Sequence, residues 1–123
     1  MIAAGAKAVI VGAKKRRTVP VEKVATGPGQ TCLGSDELIE SITLPKPGPR
    51  TGDAYLRFIP RTEMDIAVVG VAVCVTLERG RVKTARVALG AVAPTAILVP
   101  AAARALVGTS LDDEALELSL IHI

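Results

Sequence analysis

The chain is 123 residues long, enough for one domain of ordinary size, and half of those residues are hydrophobic. The apolar residues are nearly all aliphatic, with Tyr55 and Phe58 as the only aromatics, which excludes an aromatic platform for stacking bases, sugars or a flavin ring from within the chain. The net charge of +3 is graded: residues 1–50 carry eight basic and four acidic side chains, residues 101–123 one and four, so any attraction for phosphate belongs to the N-terminal half.

The longest apolar stretch, residues 66–77, has twelve residues, whereas a helical membrane span needs roughly 20. No membrane span is expected, and no signal peptide, because the basic run Lys14-Lys15-Arg16-Arg17 follows the weak apolar start instead of preceding it. Cys32 and Cys74 are single and far apart, which is neither a disulfide framework nor a metal spacing. A reducing, cytoplasmic location is the simplest expectation.

In chain order, residues 7–11 read as a short strand ending at Gly12, and residues 18–21 as a second extended piece. Residues 22–25 suit one helical turn. Thr26-Gly27-Pro28-Gly29 is a tight turn. Ser35-Asp36-Glu37 leads into a strand over residues 38–44, in which Leu38, Ile42 and Leu44 share one parity and Ile39 lies on the other. Pro45-Lys46-Pro47-Gly48-Pro49 can be neither helix nor central strand. Residues 54–59 form a strand stopped by Pro60.

Residues 66–77 are the most informative. Val69, Val71, Val73, Val75 and Leu77 fall on one face, and Gly70, Ala72, Cys74 and Thr76 on the other. The small face would let a neighbouring layer approach closely. Glu78-Arg79-Gly80-Arg81 turns the chain, and residues 82–89 return as the partner strand. For Val71, Val73 and Val75 to share a face with Leu89, Val87 and Ala85, the connection must hold an odd number of residues or include a bulge near Gly80. A plain two-residue turn would set Val73 opposite Arg86. Pro100 opens a helix over residues 100–107, with Gly108 as its stop. Ser110 or Asp112 caps a last helix over residues 113–118. Strands first and helices last imply an α+β domain with helices on one side of an antiparallel sheet.

Catalytic chemistry is hard to assemble from these residues. His122 is the only histidine, and with two separated cysteines it cannot form a zinc site. Ser35, Ser41, Ser110 and Ser119 lack a credible histidine partner. Glu63 and Asp65 stand two apart, a spacing that suits turn or ion-pair roles better than acid/base catalysis. The Thr26-Gly27-Pro28-Gly29 turn lacks the Gly-Lys-Ser/Thr ending of a phosphate loop, and Pro28 removes one donor. No catalytic or metal-binding residue is expected. A small basic nucleic-acid- or protein-binding domain remains an alternative, resting on residues 14–17 and on Arg57, Arg61, Arg79, Arg81, Lys83 and Arg86. The missing aromatic platform, the absence of any recognition module and the acidic C-terminal part argue against nucleic acid.

The order of motifs goes further. Arg17-Thr18-Val19-Pro20-Val21, Thr26-Gly27-Pro28-Gly29-Gln30-Thr31, Asp36-Glu37-Leu38-Ile39 and Ile42-Thr43-Leu44-Pro45 resemble the central part of the FAD-carrying (medium) subunit of molybdenum hydroxylases. This is the family of xanthine, aldehyde and carbon-monoxide dehydrogenases. Ala54-Tyr55-Leu56-Arg57-Phe58, Met64-Asp65-Ile66-Ala67-Val68-Val69-Gly70 and Gly80-Arg81-Val82-Lys83-Thr84-Ala85-Arg86-Val87-Ala88-Leu89-Gly90 resemble its C-terminal domain, in register over roughly residues 7–116. Carbon-monoxide-dehydrogenase-like members are the most similar.

The resemblance implies that residues 1–30 are the end of an FAD-binding domain and that residues 34–118 belong to a C-terminal domain in which an antiparallel sheet packs against a helical bundle. Both units would be incomplete, and residues 119–123 would be an unassigned tail foreign to the family. It implies FAD as the cofactor, electron transfer from iron–sulfur clusters to flavin and on to an acceptor, and two partners: a 2Fe-2S small subunit and a molybdopterin large subunit. Ile39 and Arg57 match positions at which family members touch FAD. Arginine at position 57 departs from the more frequent lysine, and its planar fork changes the hydrogen bonding available there. Asp65 also matches a recurrent position and is expected to shape the loop after Pro60.

Overall fold

The computed structural model of the chain describes residues 1–61 and 67–122. Glu63 and Asp65, and the first residue of the strand expected over residues 66–77, lie outside the described residues. The first sheet comprises β1 (Lys7–Gly12), β2 (Arg16–Pro20) and β5 (Glu37–Thr43) in the order β2-β1-β5. A 3-10 turn, Val21–Lys23, and the small hairpin β3 (Ala25–Gly27) and β4 (Gln30–Thr31) lie between β2 and β5 in the chain. The second sheet holds β6 (Thr51–Phe58), β7 (Val69–Glu78), β8 (Arg81–Gly90) and β9 (Ile97–Leu98) in that order. Helices α1 (Pro100–Leu106) and α2 (Asp113–Ile121) follow. All pairings are antiparallel, so the expected α+β class, an antiparallel sheet packed against helices, is the one observed.

The register of the β7–β8 hairpin follows from packing. Val71 pairs with Leu89, Val73 with Val87 and Val75 with Ala85, the expected alignment. The turn itself is the short one, Glu78 opposite Arg81, with Arg79 and Gly80 both at positive φ (53° and 78°). A two-residue turn of this kind matches strand twist. A bulge between Thr76 and Leu77 then shifts the alignment by one residue, leaving Lys83 without an opposite number. That shift keeps the aliphatic side chains together. Their face meets α1: Val82, Val87, Ala102, Ala103 and Leu106 form a buried cluster, joined by Val73, Leu77, Ala85, Val99 and Leu111.

Pro100 stands at the start of α1, where its missing N–H costs nothing. The Asp112 side chain accepts the Ala115 N–H at 3.0 Å and caps α2. The expected end of α2 at residue 118 is corrected by one turn. The helix runs on to Ile121 because the buried Ser119 donates its hydroxyl to the Ala102 carbonyl of α1 at 3.1 Å, tying the extra turn down. The tail is therefore helical over most of its length.

One further expectation changes at β5, the parity of Ile39. The strand adds to the open side of β1, so residues 37–43 share a sheet with residues 7–20. A division at residues 30–34 does not coincide with a break between sheets. The change of sheet occurs across the proline-rich loop of residues 44–50. Ile10 pairs with Ile39 and Val9 with Ser41, so Glu40 is a bulge. The bulge reverses the parity expected of Ile39 and puts it on the same face as Ile42, beside the fully buried Ile10 and Ala8.

Candidate functional site

Ile39 and Arg57 stand on different sheets. Ile39 projects from the bulged edge strand β5 and keeps 38% of its surface exposed, although its partner Ile10 is wholly buried. Arg57 lies near the end of the edge strand β6, opposite Gly70, and is exposed. Tyr55, two residues before it on the same face, is 64% exposed, and its hydroxyl reaches to 2.7 Å of where a Cβ on Gly70 would sit. Glycine at position 70 leaves room for that ring where it stands, whereas any Cβ there would push its hydroxyl end aside.

The face carrying Arg57 and Tyr55 is the small face of the sheet, with Gly70, Ala72 and Cys74 on β7 and Ala88 and Arg86 on β8. The close approach expected of this face is made by the first residues of the chain. Met1 and Ile2 form a shallow pocket with Tyr55, Gly70, Ala72 and Ala88. Ala3 and Ala6 are buried. Beside them Ala3, Ala4, Lys46, Asp53, Thr84 and Arg86 help line a cleft of about 440 Å³.

A second polar centre was not legible as such in the sequence. Arg17 on β2 reaches over β1 to Glu37 on β5, with Nε to Oε1 at 3.0 Å and Nη2 to Oε2 at 2.7 Å. Gly12 on β1 makes room, since a Cβ there would fall 3.0 Å from Glu37 Cγ. Glu37 also accepts the Gly34 N–H at 2.8 Å, and Arg17 donates to the Cys32 carbonyl at 2.8 Å. The Arg17 hydrogen bonds and then the Gly34 N–H hold the Glu37 carboxyl down to about 2, and the same pairing raises Arg17. The pair locks the loop of residues 32–36 in place and has the geometry of a bidentate structural clamp. Charges twenty residues apart carry no pairing signal until β1 brings β2 and β5 to either side of it.

Several of the basic side chains that kept a nucleic-acid reading open have partners within the chain. Lys15 lies 3.8 Å from Glu37, Arg16 pairs with Glu40, Arg81 donates to the Gly108 carbonyl, Lys83 meets Glu78 at 2.7 Å and Arg86 meets Glu22 at 3.5 Å. Among the described residues no group of three or more His, Cys, Asp or Glu side chains could hold a metal. None of the described helices is long and apolar enough to cross a membrane.

The residues present fit part of a flavin site. An exposed aliphatic side chain on β5 offers packing, and an exposed guanidinium on β6 offers a charge-assisted donor. A pyrophosphate needs several converging backbone donors as well. Gly108, one of the glycines at positive φ, gives its N–H to the Val82 carbonyl instead.

The sequence matches the FAD binding domain in molybdopterin dehydrogenase over residues 1–47 and the CO dehydrogenase flavoprotein C-terminal domain over residues 54–121. It is 35% identical over 82 residues to the xanthine dehydrogenase FAD-binding subunit of Escherichia coli O157:H7, covering 66% of this chain and 28% of that one. It is 34% identical over 116 residues to the carbon monoxide dehydrogenase medium chain of Hydrogenophaga pseudoflava, covering 94% of this chain and 40% of the relative. The fold superposes on carbon monoxide dehydrogenase from Hydrogenophaga pseudoflava with a TM-score of 0.90 at 36% identity, over 98% of this chain and 42% of that chain. On quinoline 2-oxidoreductase from Pseudomonas putida 86 the TM-score is 0.81 at 28% identity, over 97% of this chain. The chain spans well under half the length of these relatives.

Proposed function

Because the chain belongs to the flavoprotein-subunit family of the molybdenum hydroxylases, we infer that it is part of an FAD-carrying electron-transfer subunit, acting between iron–sulfur clusters and an external acceptor. The observation that carries this reading is the succession of two family segments, residues 1–47 and then 54–121, within one fold of which 98% superposes on part of the CO dehydrogenase chain. When bound, FAD supplies both hydride and single-electron chemistry, which suits a junction between one-electron carriers and a two-electron acceptor. The work of this chain's own residues is to bind and orient. Ile39 packs against the flavin, and Arg57 donates a charge-assisted hydrogen bond to it.

In this reading the partners are a 2Fe-2S small subunit and a molybdopterin large subunit. Substrate choice then lies with the molybdenum subunit, and the 123-residue chain has no oxidoreductase activity by itself. A flavin-fluorescence titration of the chain, and of a subunit extended upstream to the length of its relatives, tests the assignment. The extended subunit is expected to bind FAD tightly and the chain weakly or not at all. In the extended subunit, Arg57→Ala should weaken binding by ~1.5–3 kcal/mol, the usual worth of a hydrogen bond to a charged group. Unchanged affinity and unchanged reduction rate in that variant remove Arg57 from the site. Stoichiometric binding by the chain alone at micromolar FAD shows that the pyrophosphate grip does not lie upstream.

A further inference from the structure

The two residues assigned to the flavin wall belong to separate sheets, so a wall exists only if something holds those sheets in one relation. Arg86 on β8 reaches from the second sheet to the segments that flank the first, before β1 and after β2. Its Nε donates to the Ala3 carbonyl at 3.1 Å, and its Nη2 donates to the Ile2 carbonyl at 2.9 Å. The same Nη2 lies 3.5 Å from Oε1 of Glu22, in the 3-10 turn that follows β2. The other carboxylate oxygen of Glu22 is inaccessible to solvent and has no hydrogen-bond partner among the described residues. A guanidinium in this position satisfies two carbonyls from one segment and offsets the charge of a third group.

We propose that Arg86 is a positioning residue that clamps residues 2–3 and Glu22 onto the small face of the second sheet and thereby sets Ile39 and Arg57 in one wall. The connection to each is short. The clamped segment leads directly into β1, the Val21 N–H is taken by the Ala6 carbonyl, and Ile10 of β1 pairs with Ile39. On the other side, Arg86 is level with Cys74 and Asp53, on the same face as Tyr55 and Arg57. The carbonyl acceptors come from a segment whose Ala3 and Ala6 side chains are too small to key it in place by shape alone. Direction is supplied by the fork, because hydrogen bonds are directional and burial is not.

The part of the proposal that concerns the flavin rests on the function proposed above, whereas the clamp itself does not. Hydrogen exchange on the 123-residue chain therefore comes first. In Arg86→Ala the amides of Gly5, Ala6 and Val21, bonded to Ile2, Met1 and Ala6 respectively, should exchange faster by about tenfold or more, with the β7–β8 ladder unchanged. Arg86→Lys, which keeps the charge and loses the fork, should fall between wild type and alanine. Wild-type exchange at all three amides in both variants overturns the clamp. Faster exchange spread equally over the β7–β8 ladder also overturns it, since Arg86 would then only stabilise its own sheet. In the extended subunit, Arg86→Ala should weaken FAD binding and alter the visible absorption or circular dichroism of the bound flavin in the same sense as Arg57→Ala, with partial rescue by lysine. If exchange responds as stated and the flavin signals do not, the clamp holds its segment but does not position the wall, and that half of the proposal fails. If the wild-type extended subunit takes up no FAD, the functional reading fails while the exchange result stands.

Discussion

Glu37 illustrates how much a single side chain depends on its neighbours. It is almost fully covered, with 5% of its side chain exposed, and it carries a charge that is tolerable only because Arg17 and the Gly34 N–H meet it. Its acidity is moved from the ordinary value of 4.5 down to about 2 in the folded state. A depressed carboxyl contributes stability that is fully present above its unfolded-state value and is lost as pH falls through its folded-state value. Thermal melts should therefore show stability declining as pH falls from about 4.5 toward 2, with Glu37→Gln both lowering Tm at neutral pH and flattening that decline. A variant whose melting profile matches wild type across this range removes the clamp from the stability of the first sheet. Glu37 appeared in the sequence as part of a turn before a strand, and nothing local distinguished it from Glu40, three residues along the same strand, unpaired at the bulge and far more exposed.

Among the elements, the hairpin of β7 and β8 and the helix laid on it form the best-determined part. Alternation of bulky and small side chains dictated the pairing, and the bulge at Lys83 is what a two-residue turn needs in order to satisfy it. The buried cluster depends on Leu106, which is 4% exposed and sits at the end of α1 against Val82 and Val87. Leu106→Ala should cost ~2–5 kcal/mol, the range for truncating a buried leucine, because neighbours anchored in a sheet cannot collapse into the space. Urea denaturation checks this; a loss under about 1 kcal/mol would mean that the site relaxes freely. The bulge at Glu40 had no such signature. Alternation along residues 38–44 pointed to Ile39 on the opposite face from Ile42, whereas one extra residue in β5 brings both beside Ile10 and Ala8.

Across the whole molecule, burial is uneven. The α1 face of the second sheet and the middle of β1 are well covered, while β5, the loop that follows it and β6 leave Leu38, Leu44, Leu56 and Phe58 each more than half exposed. At the end of α2, Leu120 and Ile121 are 64% and 77% exposed. Aliphatic surface of this extent promotes association. Sedimentation velocity across a concentration series should show the 123-residue chain forming oligomers; a single monomeric species at every concentration contradicts the expectation.

The sequence by itself determined those features that arise from neighbours in the chain. These are the strands with alternating side chains, the proline at the start of α1, the aspartate cap of α2, the α+β order and the family to which the motifs belong. Periodicity and backbone chemistry act over a few residues, so they can be read a few residues at a time. The tertiary structure alone decided which sheet β5 joins, which face Ile39 shows, that the last turn of α2 is held by Ser119, and that Arg17 meets Glu37 while Arg86 meets Ile2 and Ala3. Those outcomes depend on contacts between residues 17 to 84 positions apart. At such separations a charge or a parity has many possible partners, and only simultaneous packing of both sheets leaves one.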